Sequence, residues 1–139
     1  MKRKDLCQKI KSYFAKVPEV TAVYLYGSYA AGRQKADSDI DLAVLFTKQA
    51  TDRLRLRFKF EEGLGSFFKK KVQIQDLQSV GIEFTKKALD EGILVLDKHS
   101  SARVAFEVKA MQQYFDLLPF YNEYYAVLQK QSLKGNFHD

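Results

Sequence analysis

The residues best suited to chemistry are two aspartates, Asp39 and Asp41, which stand one residue apart at the start of an apolar run. In an extended strand, side chains two positions apart leave the same face, so the two carboxylates are expected to lie side by side. Adjacent carboxylates repel each other, and one of them is expected to take up a proton or a cation. A hard divalent ion such as Mg²⁺ suits this pair, because it binds one or two carboxylates and completes its shell with water and phosphate oxygens.

A glycine and a serine, Gly27 and Ser28, end the preceding apolar run and are separated from Asp39 by ten residues. Glycine lets the backbone approach a ligand closely, and Ser28 is predicted to be the N-cap of a short helix. The free amide groups and the positive dipole at the start of a helix suit a phosphate. Arg33 and Lys35 lie between the two pairs and add positive charge. The pattern predicts that one pair holds phosphates while the other holds a metal that bridges them, as in phosphoryl transfer.

Hydrophobic patterning predicts the elements that position these two pairs. One strand runs up to the Gly-Ser pair and a second strand begins at the aspartates. The segment 52–68 alternates in part like a strand, but the start signal Thr51-Asp52 favours a helix. Helices and strands alternate, which predicts one α/β (α+β) domain with short strands in one central sheet. The predicted elements are a helix at 3–16, a strand at 20–27, a short helix at 28–32, a strand at 39–46, a helix at 52–68, a strand at 70–77, a helix at 81–92, a strand at 93–97, and a helix at 101–133 interrupted at Pro119.

Composition is that of an ordinary globular protein. The chain has 139 residues, 46% of them hydrophobic and 29% charged, which fits a single domain with its own core. We expect a catalytic core at 1–98 and a helical extension at 99–139. The net charge of +6 suits anionic ligands such as nucleotides or RNA, and it equally describes a solvated basic surface. Two histidines, His99 and His138, lie in no metal-binding pattern and are expected at the surface.

The location predicted from the sequence is the cytoplasm. No apolar run approaches the length that crosses a bilayer, and no signal peptide is visible. The single cysteine, Cys7, excludes an intrachain disulfide framework, as is usual for proteins of a reducing compartment.

Two apolar stripes run along the predicted C-terminal helix. The first stripe is suited to dock the helix on the sheet, and together the stripes make residues 114–128 apolar over much of the circumference. Two interpretations stay open: the helix bends at Pro119 and packs into the core, or 114–125 forms a partner-binding surface, since exposed tyrosine-rich patches are typical of interfaces. The first stripe consists of Val104, Val108, Met111, Phe115 and Leu118, and the second of Tyr114, Leu117, Tyr121, Tyr124 and Leu128.

The spacing of Gly27-Ser28 and Asp39-Ile40-Asp41 resembles the signature of the minimal nucleotidyltransferases, small members of the DNA polymerase β superfamily. The resemblance covers the whole chain: 39–46 is similar to the second strand of that family, 70–77 to its third, and 86–97 to the helix and last strand that follow. The long C-terminal helix is similar to that of the subgroup encoded beside HEPN proteins.

The resemblance implies a polymerase β-type fold, with a small mixed sheet flanked by helices and a C-terminal helical extension, and it implies an activity. In the HEPN-linked subgroup the nucleotidyltransferase is an antitoxin, which transfers AMP from ATP to a tyrosine of the HEPN ribonuclease toxin and silences it. Asp39 and Asp41 would then be the catalytic residues and would hold one or two Mg²⁺ ions. Gly27 and Ser28, assisted by Arg33, would hold the β- and γ-phosphates of ATP.

The sequence departs from the family pattern at a third carboxylate, which usually stands near the start of the third strand. The matching residue is Gln73, whose amide coordinates a metal weakly and cannot act as a base. Asp76 follows three positions later, on the opposite face by strand alternation. Three interpretations stay open: Asp39 and Asp41 suffice with one well-held metal, Asp76 turns in where the strand ends, or catalysis is lost and only binding remains.

Other functions compete with the antitoxin interpretation. One is a small-molecule adenylyltransferase of the aminoglycoside type, although those enzymes usually carry a larger second domain or dimerise to enclose the drug. A second is a non-catalytic antitoxin that blocks its partner by contact, which Gln73 favours. A third is a nucleotide-sensing regulatory module. Templated polymerisation is the least favoured, because no residues remain for a separate DNA-binding domain.

Overall fold

The structure is a computed structural model and describes residues 1–133. The predicted helices and strands are confirmed in their order, with ends that differ by a few residues. His138 and the end of the predicted extension lie outside the described residues. The elements are α1 (Arg3–Ala15), β1 (Val20–Tyr26), α2 (Gly27–Ala31), β2 (Ile40–Phe46), α3 (Arg53–Phe68), β3 (Val72–Asp76), α4 (Ile82–Glu91), β4 (Ile93–Asp97) and α5 (Ser100–Leu133).

The four strands form one mixed sheet in the order β3-β2-β1-β4. β1 pairs with β2 and with β4 antiparallel, whereas β2 and β3 run parallel. The end of β1 therefore lies beside the start of β2, and Tyr26 is level with Asp41. On its other side, Asp41 is level with Gln73 of β3. The pairing brings the Gly-Ser turn, the second aspartate and Gln73 to one end of the sheet.

Helices cover both faces of the sheet. On the first face, α1 and α3 pack through the almost fully buried rings of Phe14 and Phe60. On the second face, α4 and the first turns of α5 cover a smaller apolar cluster that includes Ala43 and Ala88. Asp41 lies two residues before Ala43 in β2 and therefore shares the second face. Among residues 1–133, no helix combines the length and the hydrophobicity that crossing a membrane requires.

The outer edge of β3 is closed by two side chains of α3. The Ile74 backbone N–H donates to a Glu61 carboxylate oxygen at 2.8 Å, and the Arg57 Nε donates to the Ile74 carbonyl at 2.9 Å. An edge strand otherwise presents such groups to solvent or to another chain. The contacts also hold α3 against β3, next to the strand that carries Gln73.

Two helix starts test the predicted caps. Asp52 caps α3 as predicted, because its carboxylate accepts a hydrogen bond from the Arg55 backbone N–H at 3.4 Å, and the segment that also alternated like a strand is helical. The prediction that Ser28 caps α2 is wrong. The N-cap is Tyr26, whose side chain makes no capping hydrogen bond. Gly27 adopts a φ of +74°, which glycine tolerates, so the chain turns into the helix one residue earlier than predicted.

The C-terminal helix α5 is continuous over 34 residues, or about 51 Å at 1.5 Å per residue. The predicted interruption at Pro119 is therefore wrong. Proline removes one helical hydrogen bond, but Pro119 is exposed, so water can hydrate the carbonyl that loses its partner. Within this helix, Ala110 is the one fully buried residue. Most of the second half is exposed, and the interpretation that it packs into the core is not supported.

The predicted docking stripe of α5 is also wrong, because Val104, Val108 and Phe115 are exposed. The adjacent helix face is the one that packs. Phe106 contacts the second apolar cluster and Ala110, one turn on, is buried. The helix is rotated from the predicted orientation by polar contacts at its base that the apolar pattern does not reveal.

Those polar contacts tie the base of α5 to two strands. The Tyr24 hydroxyl of β1 donates to a Glu107 carboxylate oxygen at 2.5 Å. Arg103 bridges Glu107 and Asp97 of β4, with nitrogen–oxygen distances of 2.9 Å. Burial and, after it, the bond to Glu107 raise the pKa of Tyr24, so its hydroxyl remains a neutral donor. This network fixes which face of α5 meets the sheet.

Candidate active site

The two aspartates lie together at the end of the sheet where β1 ends and β2 begins, here called the open end of the sheet. Asp39 immediately precedes β2, Asp41 is its second residue, and both are half-buried. Burial and, second, the negative charge of Asp39 raise the pKa of Asp41 above its ordinary value. A raised pKa is expected where two carboxylates lie close together and no cation stands beside them. The pair therefore tends to take up a proton or a cation.

The backbone at Gly27 lies directly against the Asp41 carboxylate. A Cβ at Gly27 would stand 2.4 Å from Asp41 Oδ2 and 3.2 Å from its Cγ, and the φ of +74° disfavours any other residue. A side chain here would displace the carboxylate. Gly27 was predicted only to let the backbone approach phosphates, and the structure adds that it makes room for Asp41. The turn and the aspartate thus form one unit.

The remaining residues of the turn lie at the rim of this unit. Ser28 is half-buried, and its carbonyl accepts a hydrogen bond from the Arg33 backbone N–H at 2.9 Å. Gly32, the predicted end of the short helix, is its left-handed C-cap with a φ of +72°. The side chains of Arg33 and Lys35 are exposed, and no hydrogen bond or salt bridge within residues 1–133 fixes either cation in the site.

The structure brings Gln73 to the aspartates and does not bring Asp76. Gln73 is half-buried beside Asp41. Asp76 is 2% exposed and bound elsewhere, with its Oδ2 at 3.0 Å from the Arg53 Nε and at 2.9 Å from the Ser79 hydroxyl. In the described part of the chain, no group of three or more histidine, cysteine, aspartate or glutamate side chains could hold a metal. The site offers two carboxylates and one amide.

Tyr26 is a site residue that sequence reasoning missed. It pairs with Asp41 across β1 and β2, and its ring packs edge-on against Phe84 of α4, with centroids 5.2 Å apart. Burial, with a smaller effect of Asp41, raises the pKa of Tyr26 to about 12. Its hydroxyl therefore keeps its proton at neutral pH. The signal that could have found it is its position directly before Gly27, at the end of a strand that pairs antiparallel with the one carrying Asp41.

A sequence profile of the polymerase beta nucleotidyltransferase family matches residues 8–101, which is more than half of the chain. The chain belongs to this family.

Individual nucleotidyltransferases are similar to the chain in sequence and in fold. The protein adenylyltransferase MntA of Shewanella oneidensis is 33% identical over 78 residues, or 55% of this chain and 53% of MntA. The match thus spans about half the length of that relative. A chain of a toxin–antitoxin crystal structure with AMP-PNP superposes with a TM-score of 0.71 and 26% identity, covering 89% of this chain and 96% of that chain.

A second solved structure supports the fold. It is a complex of the tri-AMPylated HEPN toxin of Shewanella oneidensis with MNT antitoxin, and one of its chains superposes with a TM-score of 0.69 and 22% identity. The superposition covers 92% of this chain and 97% of that chain. The polymerase β-type fold predicted from the sequence is confirmed.

The donor set of this nucleotidyltransferase fits a hard divalent cation. Asp39 and Asp41 supply carboxylate oxygens, the ligands that Mg²⁺ prefers. Burial and, after it, the negative charge of Asp39 raise the pKa of Asp41, and a cation bound beside it would offset both effects. Gln73 adds an amide oxygen that binds a metal more weakly. Because Gly27 has no side chain, it does not cover the Asp41 carboxylate.

Proposed function

We propose that this nucleotidyltransferase is a cytoplasmic antitoxin that transfers AMP from ATP to a tyrosine of a cognate HEPN ribonuclease toxin and so neutralises it, in a reaction that depends on Mg²⁺. The observation that carries the proposal is the unit formed by Gly27 and Asp41, with Asp39 beside it, at the open end of the sheet. The AMP-PNP in one structural relative and the AMPylated toxin in another support the choice of nucleotide and partner.

Each residue of the site has a role in this reaction. Asp39 and Asp41 would hold one or two Mg²⁺ ions. Bound Mg²⁺ neutralises charge on the triphosphate and makes the α-phosphorus more electrophilic. The Gly27 backbone and Ser28 would hold the β- and γ-phosphates, and the exposed Arg33 would add positive charge.

Bond making and breaking take place at the α-phosphorus of ATP. The tyrosine oxygen of the toxin forms a bond to this phosphorus, and the bond from the phosphorus to the oxygen that bridges to the β-phosphate breaks. Pyrophosphate leaves with that oxygen and the electron pair, and the phenol proton passes to solvent. Gln73 cannot accept this proton. A phenol with a pKa near 10 needs less help from a base than an aliphatic alcohol does.

The test is the intact mass of a purified HEPN toxin after incubation with this chain, ATP and Mg²⁺. We expect a gain of one or more AMP units, none with EDTA, and none with the Asp39→Ala/Asp41→Ala double variant. Circular dichroism of the variant must match that of the parent chain. Transfer retained by the folded double variant would overturn the mechanism.

A second candidate function is inhibition of the toxin by contact alone. Gln73 favours it, because the site lacks a third carboxylate where the family usually has one. In that case the toxin would form a stable complex and lose its ribonuclease activity without gaining mass. The same mass measurement, run beside a ribonuclease assay, separates the two functions.

The toxin is also proposed to contact the second half of α5. Phe120 and Tyr124 are 68% and 60% exposed, and large aromatic side chains are typical of protein interfaces. We treat 1–139 as one domain, with 1–98 as its catalytic core and 99–139 as the extension that reaches the partner.

A further inference from the structure

A groove runs between α1 and α3, on the face of the sheet that Asp41 does not share. Its volume is about 690 Å³, within the range of ligand-binding sites. Tyr13, Phe60 and Leu64 are among the side chains that line its apolar interior. Phe67 lies at its side and is 63% exposed, so its ring adds apolar surface to that of the groove. The groove is therefore an apolar surface that residues 1–133 leave uncovered.

Gly63 is the point at which α3 approaches α1 closely. A Cβ at this position would stand 3.1 Å from the Tyr13 hydroxyl oxygen, so the two helices meet there through a glycine and a phenol. α1 has 13 residues and α3 has 16, which makes them about 20 and 24 Å long. A third helix of three to four turns would match the lengths of α1 and α3, in the manner of helix-in-groove recognition.

The rim of the groove is basic. Lys9, Lys16 and Lys59 line it together with one carboxylate, Glu19. The Lys9 ammonium lies 5.7 Å from the centroid of the Phe67 ring, so positive charge and apolar surface adjoin directly. Among the described residues, none of these three lysines forms a salt bridge. The groove therefore combines an apolar interior with a surplus of cations that residues 1–133 leave without a salt bridge.

We propose that this groove binds an amphipathic helix of a protein partner, whose apolar stripe is flanked by glutamates or aspartates. The apolar stripe would cover Phe67 and the interior, and the carboxylates would meet the lysine rim. A second copy of this chain fits less well, because it would oppose lysine to lysine in a chain with a net charge of +6. The proposal is independent of the nucleotidyl-transfer site.

The test uses two designed, fluorescein-labelled 14-residue helical peptides with the same leucine stripe, one flanked by glutamates and the other by lysines. Fluorescence anisotropy with the full chain is expected to detect binding of the glutamate peptide, at least about tenfold tighter than the lysine peptide. Charge reversal by Lys9→Glu, Lys16→Glu and Lys59→Glu together should invert that preference.

A pair of matched variants locates the binding. Phe67→Ser should weaken binding of the glutamate peptide by about tenfold or more, as expected for an aromatic contact residue. Phe58→Ser is the control, because Phe58 lies on the same helix, is 60% exposed and does not line the groove. Its affinity should stay within about twofold of the parent, and thermal melts should report that both variants fold.

Several outcomes would overturn the proposal. One is failure of the glutamate peptide to bind, and another is equal binding of both peptides. Equal loss in the Phe58 and Phe67 variants would place the peptide elsewhere. Two further outcomes apply if no peptide binds. If the chain binds phosphatidylglycerol vesicles and Phe67→Ser abolishes this binding, the occupant is a lipid surface. If the chain forms a concentration-dependent dimer and Phe67→Ser abolishes it, the occupant is a second copy.

Discussion

Asp41 adjoins four other residues of the site. It meets Gly27 through the backbone, Asp39 through charge, and Tyr26 and Gln73 through strand pairing. A change at any of these positions therefore acts on the same carboxylate. Each neighbour affects Asp41 in a different way. Single substitutions can therefore test separately the room left for its carboxylate, the effect of a neighbouring charge on its pKa, and the number of metal ligands around it.

Replacing Gly27 by alanine tests the role of space. Gly27 and Gly32 both have a positive φ, but a Cβ at Gly32 would meet no atom of residues 1–133 within 4 Å. Both Gly27→Ala and Gly32→Ala should lose about 1–2 kcal/mol of unfolding free energy to left-handed backbone strain. Only Gly27→Ala should also lose binding of Mn²⁺ with AMP-PNP, because its methyl group displaces Asp41. Chemical denaturation and calorimetry measure the two quantities, and equal binding by both variants would contradict this account.

The charge of Asp39 should be visible in the titration of Asp41. In the metal-free chain, Asp39→Asn should lower the pKa of Asp41, but not to its ordinary value, because burial is the larger cause of the shift. Carboxyl ¹³C NMR measures both curves. Because the folded-state pKa is raised, the contribution of Asp41 to stability is present below its unfolded-state pKa and is lost as pH rises through the folded-state pKa. Metal affinity should rise over the same interval, since the cation replaces the proton.

Gln73→Asp should increase the metal-binding capacity of the site. The new carboxylate would stand level with Asp41 and complete a group of three, so we expect tighter Mn²⁺ binding in electron paramagnetic resonance titrations. Gln75→Asp is the matched control, since Gln75 is also half-buried in β3 but is level with Ala43. Equal gains in both variants would mean that general negative charge, and not the position beside Asp41, is responsible.

Much of the site was predictable at the scale of single residues. The Gly-Ser and Asp-x-Asp pairs are local patterns, and alternation along a strand suffices to put Asp39 and Asp41 together. Tyr26 was missed because its position beside Asp41 depends on the antiparallel register of two strands. The contact between Gly27 and the Asp41 carboxylate depends on the same register. Neither is contained in the spacing of residues along one segment.

At the scale of elements, Asp76 at the end of β3 is expected to affect stability and not metal binding. Asp76 is paired with Arg53 and bonded to Ser79. Asp76→Ala removes these contacts but leaves only the partly exposed Arg53 unpaired, so it should lower the unfolding free energy by about 2 kcal/mol. It should leave Mn²⁺ affinity unchanged, because Asp76 does not face the aspartates. Asp90→Ala, which removes an exposed ion pair with Lys86, is the control and should change stability by less than about 1 kcal/mol. Loss of metal binding in a folded Asp76 variant would restore it as a site residue.

Element types were more predictable than the way elements pack. The capping signal at Asp52 resolved a segment that also alternated like a strand, because a cap is a local interaction. The docking face of α5 was not predictable in the same way. It is set by Arg103 and Glu107, whose partners lie in strands far away in sequence. The predicted interruption at Pro119 was wrong for a related reason. The effect of a proline on a helix depends on whether solvent reaches the carbonyl that loses its hydrogen bond, and exposure is not visible in the local sequence.

At the scale of the whole molecule, α5 divides into a docked half and an exposed half. Phe120→Ser with Tyr124→Ser should weaken binding to the proposed partner, a HEPN toxin, by about tenfold or more and leave the thermal midpoint almost unchanged, since both side chains are largely exposed. Val104→Ser with Val108→Ser is the control, at two exposed positions in the first half of the same helix. Biolayer interferometry with immobilised toxin measures both. Equal weakening by the two pairs would mean that the contact is not confined to the second half.

The closed edge of β3 restricts how this molecule can meet other proteins. Many domains recruit a peptide by adding it as an extra strand, with backbone hydrogen bonds that are indifferent to sequence. At the middle of β3 this mode is blocked, because Glu61 and Arg57 already occupy the N–H and the carbonyl of Ile74. Recognition along that edge must therefore rely on side chains, which distinguish one partner from another. The same contacts hinder hydrogen bonding between this edge and the edge strand of another molecule, which is how exposed edges aggregate.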